Sequence, residues 1–419
     1  MQIDKKMPGA IVLGGNFVGL GVVRSLGQRG IQVWVIDSDR NKSIAQFSRY
    51  TKRFIEQTGA IPELLLREAQ AHDLQGWVLF PVTDEYVEIL SENRELLGSS
   101  YRVTTGPPEI TKFALDKRWT YARADELEIP TPWTLMSKSL ADFDAQDLPY
   151  PVILKPAVNH HFFPQTNVKA FSVSTPVHLR NRYLQMNEYI PADEILIQEH
   201  IPGAGESQFS YCAACREGKV YASLVARRTR QYPVEFGNAS SFVETAEQPV
   251  VAAAGQKFLE SIGFDGIGEV EFKFDSRDGQ YKILDFNPRT WGWHTLGQTV
   301  GIDFTYLLWR QSLGLEILPP GAPRKAAWLR EITDLMAIAN SISRVREIKN
   351  LLDAIWRRKF KLATFSLSDP APFFAEFFML LSSGLTRQKQ AEDFLELNSN
   401  ALRPEAVSAR ASELESQVQ

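Results

Sequence analysis

The clearest alternation of apolar and polar positions lies between Glu269 and Arg289. Three apolar residues alternate there with three charged residues, namely Val270, Phe272 and Phe274 with Glu269, Glu271 and Lys273. Period two returns over residues 283–287, and residues 275–279 between the two runs read Asp-Ser-Arg-Asp-Gly, a strong turn signal. The pattern predicts a β-hairpin with one polar face.

The register of this hairpin predicts a cluster of carboxylates. A turn centred near Asp278 places Glu271 opposite Asp285 and Glu269 opposite Asn287. Like charges directly opposite on neighbouring strands destabilise a sheet, so a cation is expected between them. Carboxylate and amide oxygens suit Mg²⁺ or Mn²⁺. A solvated acidic face without a metal is the other interpretation of the same pattern.

Near the N-terminus, apolar runs and a glycine-rich loop predict a β-α-β unit. Strands are expected at residues 10–13 and 32–36, with a helix at 22–29 between them. A further buried strand at 76–81 leads into Thr83 and Asp84, and the carboxyl ends of such strands face ligands. Capping of the next helix is the favoured role for these two residues, and substrate contact is the alternative.

The loop between Gly14 and Gly21 allows two interpretations. Its glycines could present N–H groups to a phosphate at the start of the helix, as in dinucleotide-binding folds. Asp37 then lies where a ribose-binding acid is expected, but Asn16 stands at the position of the second glycine. A purely structural turn explains the loop at least as well.

Further along the chain the pattern predicts mixed α and β structure. The expected elements are a helix at 110–127, a strand ending at Lys155, a polar loop at 157–169, strands at 195–201, 206–215 and 220–227, and a helix at 249–262. From about Pro319 onward the sequence becomes helical, basic and aromatic, and the densest basic run, 356–361, is interpreted as a solvated helix face.

Bulk composition limits the classes of function. The 419 residues are enough for two or three domains, and a net charge of −4 gives no global footprint for nucleic acid or an anionic membrane. The N-terminus lacks a signal-peptide core, and the longest apolar run, 372–381, is too short to span a membrane. Cys212 and Cys215 should point to opposite faces of a strand as buried, inert thiols. A cytoplasmic location is consistent with this cysteine usage.

An ordered set of motifs resembles the ATP-grasp superfamily, and within it the ATP-dependent carboxylate–amine ligases. The set consists of Lys117, Lys155-Pro, Gln198-Glu199-x-Ile201-Pro-Gly with Glu206, Glu271-Phe-Lys, and Asp285-x-Asn287-Pro-Arg289. The resemblance covers residues 10–320. It implies an α/β and α+β fold with a Rossmann-like pre-domain at 1–110, two ATP-grasp lobes at 111–194 and 195–320, and a mainly helical C-terminal region at 321–419.

The resemblance also implies roles for individual residues. Lys117 and Lys155 approach the nucleotide phosphates, a role that suits lysine as a mobile point charge. Adenine contacts fall to Gln198, Glu199 and Ile201, and the ribose hydroxyls to Glu206. The implied Mg²⁺ ligands are Glu271, Asp285 and Asn287, with Arg289 stabilising the transferring phosphoryl group and Arg228 or Arg230 as helpers. Family comparison favours Glu271 over Glu269 as the metal ligand.

Two departures from the family pattern stand out. Asp285 occupies a position where many relatives have Glu, which shortens the arm that reaches the metal. The loop at 157–169 lacks the glycine-rich phosphate flap and carries Asn159, His160 and His161 instead. The two histidines either contact the γ-phosphate or are ordinary loop residues.

The implied reaction uses ATP and Mg²⁺, or Mn²⁺, to activate a carboxylate as an acyl phosphate. An amine then forms the amide, with release of ADP and phosphate. The implied partners are small-molecule or peptide carboxylates and amines, without nucleic acid or a membrane span, and a homodimer is left open. An NAD(P)-linked oxidoreductase and a non-catalytic ATP-binding module are the alternatives.

Overall fold

A computed structural model describes residues 7–144, 147–232, 239–317, 325–340, 344–357 and 359–380. Residues 7–131 and 202–379 form one compact unit, and residues 132–201 belong to a second. The stretches 1–110 and 195–320, proposed above as separate domains, therefore lie largely in the same unit, and their boundaries stay predictions. Residues 381–419 of the C-terminal region lie outside the described residues.

The first sheet of the first unit is parallel and has the strand order β3-β2-β1-β4-β5. Its strands are β1 (Ala10–Leu13), β2 (Val33–Asp37), β3 (Thr51–Glu56), β4 (Trp77–Pro81) and β5 (Tyr101–Val103). The accompanying helices are α1 (Phe17–Gly27), α2 (Ile61–His72), α3 (Asp84–Glu92) and α4 (Arg94–Gly98), with a 3₁₀ turn at Ile44–Phe47. The all-apolar β1 is fully buried, as expected for a strand covered on both faces. The predicted Rossmann-like sheet is confirmed.

Two helices replace the single helix predicted at 110–127. They are α5 (Pro108–Leu115) and α6 (Lys117–Glu126). Asp116 between them has extended backbone and caps α6 by accepting a 2.9 Å hydrogen bond from the Arg118 N–H. This break places Lys117 at the first position of α6.

The second unit is built around a four-stranded antiparallel sheet of order β6-β9-β7-β8. Its elements are β6 (Thr134–Met136), α7 (Ala141–Asp144), β7 (Val152–Pro156), α8 (Asn159–Thr166), β8 (Phe171–Val173), α9 (Pro176–Asn187), a 3₁₀ turn at Ala192–Glu194, and β9 (Ile195–Glu199). The prediction of a polar loop at 157–169 was wrong, because α8 occupies most of it. Phe162 of α8 is fully buried in the core of this unit, which fixes the segment as a helix.

A seven-stranded sheet completes the first unit, with the order β14-β13-β10-β11-β12-β15-β16. Its strands are β10 (Gln208–Arg216), β11 (Lys219–Tyr232), β12 (Ala239–Thr245), β13 (Gly266–Asp275), β14 (Gln280–Asn287), β15 (Ala326–Leu329) and β16 (Lys359–Leu362). A 3₁₀ turn at Gly205–Ser207 precedes β10, and the helices are α10 (Pro249–Ser261), α11 (Leu296–Thr299) and α12 (Phe304–Ser312). All neighbouring strands are antiparallel except β15 and β16.

The two faces of this large sheet bury separate apolar cores. On one face Tyr211 and Val270 pack with α10, and on the other Cys212 joins the cluster that includes β1 and α1. Cys215 belongs to the α10 face, so the two free cysteines point to opposite sides, as predicted. Burial raises the pKa of both thiols, that of Cys215 to about 12, which makes them inert.

The described C-terminal residues are mainly helical, as predicted, but they also add β15 and β16 to the large sheet. The helices are α13 (Glu331–Asn340), α14 (Arg344–Arg357) and α15 (residues 371–380). The basic run 356–361 is not one helix face, because β16 begins at Lys359. Short apolar runs such as Ala326–Leu329 do not distinguish a strand from a buried helix. Among the described residues, no helix is long and apolar enough to cross a membrane.

Candidate active site

The hairpin of β13 and β14 brings four polar side chains together in the predicted register. Glu271 lies opposite Asp285 and Glu269 opposite Asn287. The ladder shifts by one residue after Glu271, so a bulge at Leu284 separates this polar end from the turn. The polar end of the hairpin is therefore held as predicted, with three carboxylates and one amide on one face.

Asn287 links two of the carboxylates to the guanidinium of Arg289. Its Nδ2 group donates to Glu269 Oε2 at 3.2 Å and to Glu271 Oε1 at 3.1 Å. Its Oδ1 atom accepts a 3.1 Å hydrogen bond from Nη2 of Arg289. The amide orientation is therefore fixed by acceptors on one side and a donor on the other.

Two further cations balance the carboxylates. Lys117 Nζ lies 3.0 Å from Asp285 Oδ2, and Arg228 Nη2 lies 3.4 Å from Glu271 Oε2. Burial lowers the pKa of Lys117, but the negative charge of Asp285 more than offsets this, so the pKa is raised and the lysine stays charged. The Tyr121 hydroxyl donates to the Leu284 carbonyl at 3.0 Å and ties α6 to the bulge.

Arg289 is held by a contact that the sequence did not reveal. Its Nε donates to Asp84 Oδ1 at 2.6 Å, which joins the hairpin to the carboxyl end of β4. Thr83 caps α3 by accepting a hydrogen bond from the Tyr86 N–H, which is the capping role that the sequence predicted. Burial lowers the pKa of Arg289, but the charge of Asp84 outweighs it and the pKa is raised overall. An acid at the carboxyl end of a parallel strand was the available signal.

Glu269, which the family comparison had set aside, is the most buried member of the cluster. It is 3% exposed, and among the described residues no hydrogen bond of normal geometry reaches its Oε1 atom. Burial and the charge of Glu271 raise its pKa to about 8. Glu269 is thus a buried and incompletely paired carboxylate beside Glu271 and Asp285. Carboxylate oxygens are the ligands that a hard divalent cation prefers, so this cluster fits Mg²⁺.

Known proteins similar to this chain include several ligases. No family model matches the chain. A D-aspartate ligase from Enterococcus faecium (strain Aus0004) is 22% identical over 236 residues, which are 54% of this chain and 56% of that protein. The chain therefore matches little more than half the length of this curated relative.

Solved structures show a closer likeness in fold. An L-amino acid ligase from Bacillus licheniformis has a TM-score of 0.57 at 14% identity, covering 75% of this chain and 78% of that one. An ADP complex of N5-carboxyaminoimidazole ribonucleotide synthetase has a TM-score of 0.61 at 14% identity, covering 83% and 86%. A biotin carboxylase complex from Campylobacter jejuni has a TM-score of 0.60 at 15% identity, covering 75% and 72%.

The chain has the ATP-grasp fold. The fold that the resemblance implied is thereby confirmed, including the Rossmann-like sheet at its N-terminal end. Sequence identities of 14–15% to these structures establish the fold alone.

Four residues that were predicted to contact the nucleotide lie in the second unit, residues 132–201. Lys155 on β7 and Gln198 on β9 share one face of the sheet, since Lys155 pairs with Leu196 two positions along from Gln198. Gln198 donates to Thr134 Oγ1 at 2.7 Å, and Glu199 Oε1 accepts from the Trp133 N–H at 2.9 Å. The fourth, Ile201, is buried two residues after the end of β9.

His161 and Glu206 were also considered as contacts of the nucleotide. In α8, the exposed His161 pairs through Nδ1 with Glu194 Oε2 at 2.9 Å. Glu206 is exposed in the 3₁₀ turn before β10. Burial lowers the pKa of Lys273, and the negative charge of Glu206 offsets part of that effect. The roles of Glu206 and the histidines stay predictions.

Arg230 does not contact the carboxylates of the β13–β14 hairpin but pairs with two other acids. Its Nε and Nη2 atoms donate to the two oxygens of Asp334 at 2.8 and 2.7 Å, and Nη1 donates to Glu347 at 3.1 Å. The pairing of β11 with β12 is irregular between Arg228 and Arg230. An irregularity of this kind interrupts the alternation that would otherwise place Arg228 and Arg230, two positions apart, on the same face of the sheet.

In the glycine-rich loop, side chains of the same chain occupy the space around Gly15 where a dinucleotide phosphate was considered. The Gly15 N–H donates to Asp37 Oδ2 at 2.6 Å, and a Cβ on Gly15 would overlap the Ser43 hydroxyl. Asn16 caps α1 by accepting from the N–H of Val18. The acid and the N–H group that a dinucleotide would need are thus bonded to each other, so the oxidoreductase interpretation is not favoured.

Proposed function

We propose that this chain is an ATP-dependent, ADP-forming ligase that joins a carboxylate to an amine, with an amino acid as at least one substrate. The observation that supports this most strongly is the hairpin cluster, in which Glu271, Asp285 and Asn287 are positioned beside Lys117 and Arg289. The similar D-aspartate ligase and L-amino acid ligase support the choice of an amino acid.

The proposed reaction has two steps. A carboxylate oxygen attacks the γ-phosphorus of ATP, the bond to the β,γ-bridging oxygen breaks, and ADP leaves. The amine nitrogen then attacks the acyl carbon, loses a proton and displaces phosphate. Phosphoryl transfer of this kind depends mainly on positioning and on neutralising negative charge.

The residues of the cluster divide these tasks. Glu271, Asp285 and Asn287 would hold Mg²⁺, which neutralises charge on the β- and γ-phosphates when bound. Lys117, which is paired with Asp285 at 3.0 Å, would bind the nucleotide phosphates if Asp285 instead served as a ligand of the metal. Arg289, fixed by Asp84 and Asn287, presents a planar guanidinium suited to the transferring phosphoryl oxygens.

A coupled ADP-release assay tests the proposal. The full chain is incubated with Mg·ATP and pools of amino acids and other carboxylates and amines, and products are identified by mass. We expect ADP, phosphate and an amide, and we expect Asp285→Asn to lower kcat by about 100-fold or more. Asp278→Asn is the matched control, since this exposed acid lies in the turn of the same hairpin.

Three results would contradict the proposal. AMP as the nucleotide product excludes an acyl-phosphate route. ATP binding without turnover in any pool, unchanged by Asp285→Asn, indicates a binding module. Nicotinamide binding without Mg·ATP binding restores the oxidoreductase alternative.

A further inference from the structure

Helix α14 exposes a stripe of large apolar side chains. Val345, Ile348, Leu352 and Trp356 are 83%, 47%, 60% and 88% exposed, and we call these four residues the α14 stripe. Their spacing of three, four and four residues places them along one side of the helix. A contiguous exposed stripe of this kind marks an interaction surface more often than scattered single residues do.

Contacts on the opposite side of α14 fix which way the stripe faces. Glu347 accepts from the buried Arg230 at 3.1 Å, and Leu351 packs on the cluster that contains Phe242 and Leu329. Glu347 and Leu351 are one turn apart on the side facing the sheet. The α14 stripe therefore faces outward because the other side of the helix is anchored to the sheet.

The sequence of α14 carries a net positive charge, in contrast to the rest of the chain. Residues 344–357 of α14 contain four Lys or Arg and two Asp or Glu, a net charge of +2, whereas the remaining residues contain 42 and 48, a net charge of −6. Lys349, one turn after Val345, is exposed beside the stripe. The net charge of −4 for the whole chain thus hides a basic segment.

We propose that the α14 stripe binds an anionic phospholipid surface, with α14 lying in the plane of the lipid headgroups. A basic helix with an apolar stripe that includes an exposed tryptophan has the composition of helices that lie on membranes rather than span them. Lysine and arginine near such a surface add attraction to anionic headgroups. The proposal is independent of the proposed ligase activity.

Two other occupants, a second copy of the chain and nucleic acid, fit the stripe less well. In a symmetric dimer the stripe would face its own copy, which brings two helices of net charge +2 together. Nucleic acid binding favours a platform of several aromatic side chains for base stacking, whereas the α14 stripe contains a single tryptophan and three aliphatic residues.

Vesicle flotation with the full chain tests the proposal. We expect little binding to pure phosphatidylcholine, binding that rises with the fraction of phosphatidylglycerol, and a decrease when NaCl is added. The double variant Leu352→Glu with Trp356→Glu should lower the bound fraction about tenfold or more, and Lys349→Glu several-fold. Leu367→Glu is the matched control, because Leu367 is 89% exposed but lies outside α14.

The outcomes separate the occupants. Binding that follows phosphatidylglycerol and is lost in the double variant supports the proposal, provided that the circular dichroism of the variant matches that of the parent. Four results overturn it: no binding to phosphatidylglycerol vesicles, equal binding to both lipids, wild-type binding by the double variant, or a stable dimer that the double variant dissociates without any lipid binding.

Discussion

Arg289 owes its position to Asp84, and this dependence can be measured. Asp84→Asn keeps the size of the side chain but removes the charge that holds the guanidinium at 2.6 Å. If Arg289 stabilises the transferring phosphoryl group, misplacing it should lower kcat by about 10- to 100-fold while changing KM for ATP little. Steady-state ADP release with the substrates found by screening gives both constants.

The neighbouring acid Glu85 supplies the control for this experiment. Glu85 lies in the same first turn of α3 but is exposed. Glu85→Gln should therefore leave kcat unchanged, and both variants should melt within a few degrees of the parent. An unaltered kcat in Asp84→Asn would mean that the ion pair only joins β4 to the hairpin.

His294 gives a second prediction, on stability. Among the described residues this buried imidazole makes one hydrogen bond, from Nδ1 to the Trp291 carbonyl at 2.8 Å, and burial lowers its pKa to about 4. The unfolded chain, with a histidine pKa near 6.5, binds the proton more readily. The stability contributed by neutral His294 is therefore present above pH 6.5 and is lost as the pH falls toward 4, by roughly 3 kcal/mol in total.

Urea denaturation between pH 4.5 and 7.5 tests this contribution. Carboxylates titrate in the same range, so the informative quantity is the difference between the parent and His294→Gln. We expect the parent to lose more free energy of unfolding than the variant as the pH falls. Parallel curves would show that His294 keeps an ordinary pKa.

Which contacts could be predicted depended on how local their signal was. The pairing of Glu271 with Asp285 followed from period-two alternation and one turn, both contained within about twenty residues. The contact of Arg289 with Asp84 joins positions 205 residues apart. No local pattern encodes such a pair, so only the fold could reveal it.

Strand β11 carries two arginines whose roles differ, and a matched pair of variants separates them. Arg230 is buried between Asp334 and Glu347 and lies 4.4 Å from the Phe242 ring centroid. Arg230→Met removes the cation that pairs with the buried Asp334 and with Glu347, which should cost about 3–5 kcal/mol of unfolding free energy. The folded fraction should retain its kcat. Chemical denaturation and active-site-normalised kinetics measure the two quantities.

Arg228→Met should give the reverse result. Arg228 contacts Glu271 at 3.4 Å, so its loss should lower the rate of ADP formation with less effect on stability. A fall in kcat for folded Arg230→Met, matching that of Arg228→Met, would restore the original expectation that both arginines assist catalysis.

Elements were predictable where one periodicity extended over a long segment. The acidic hairpin, α10 and the strand with two cysteines were predicted for this reason. Short apolar runs predicted β1, β2 and β4 of the parallel sheet, whereas β3 and β5 were not predicted. The segment 157–169 was misassigned because its polar sequence hides Phe162, whose burial holds α8 in place. Irregular pairing in β11 could not be predicted, because a bulge leaves no alternation to follow.

The first unit is assembled from two distant parts of the chain, since residues 132–201 belong to the other unit. A buried carboxylate near its C-terminal end helps to join these parts. Asp369 accepts hydrogen bonds from Arg24 Nε at 2.9 Å, Ser48 Oγ at 2.7 Å and the Arg49 N–H at 2.9 Å. Because Asp369 is only 2% exposed, these bonds are shielded from water and from salt.

Asp369→Ala should therefore loosen the C-terminal segment as well as lower stability. Removing the carboxylate of this buried ion pair leaves Arg24, within the described part of the chain, with its hydrogen bond to the backbone carbonyl of residue 369, and we expect a loss of about 3–5 kcal/mol. Urea denaturation measures this loss, and limited proteolysis should show earlier cleavage within residues 359–380. Ser368→Ala is the control, since Ser368 is exposed and adjacent. Cleavage that is equally slow in both variants would mean that β16 alone, through its pairing with β15, holds the segment on the unit.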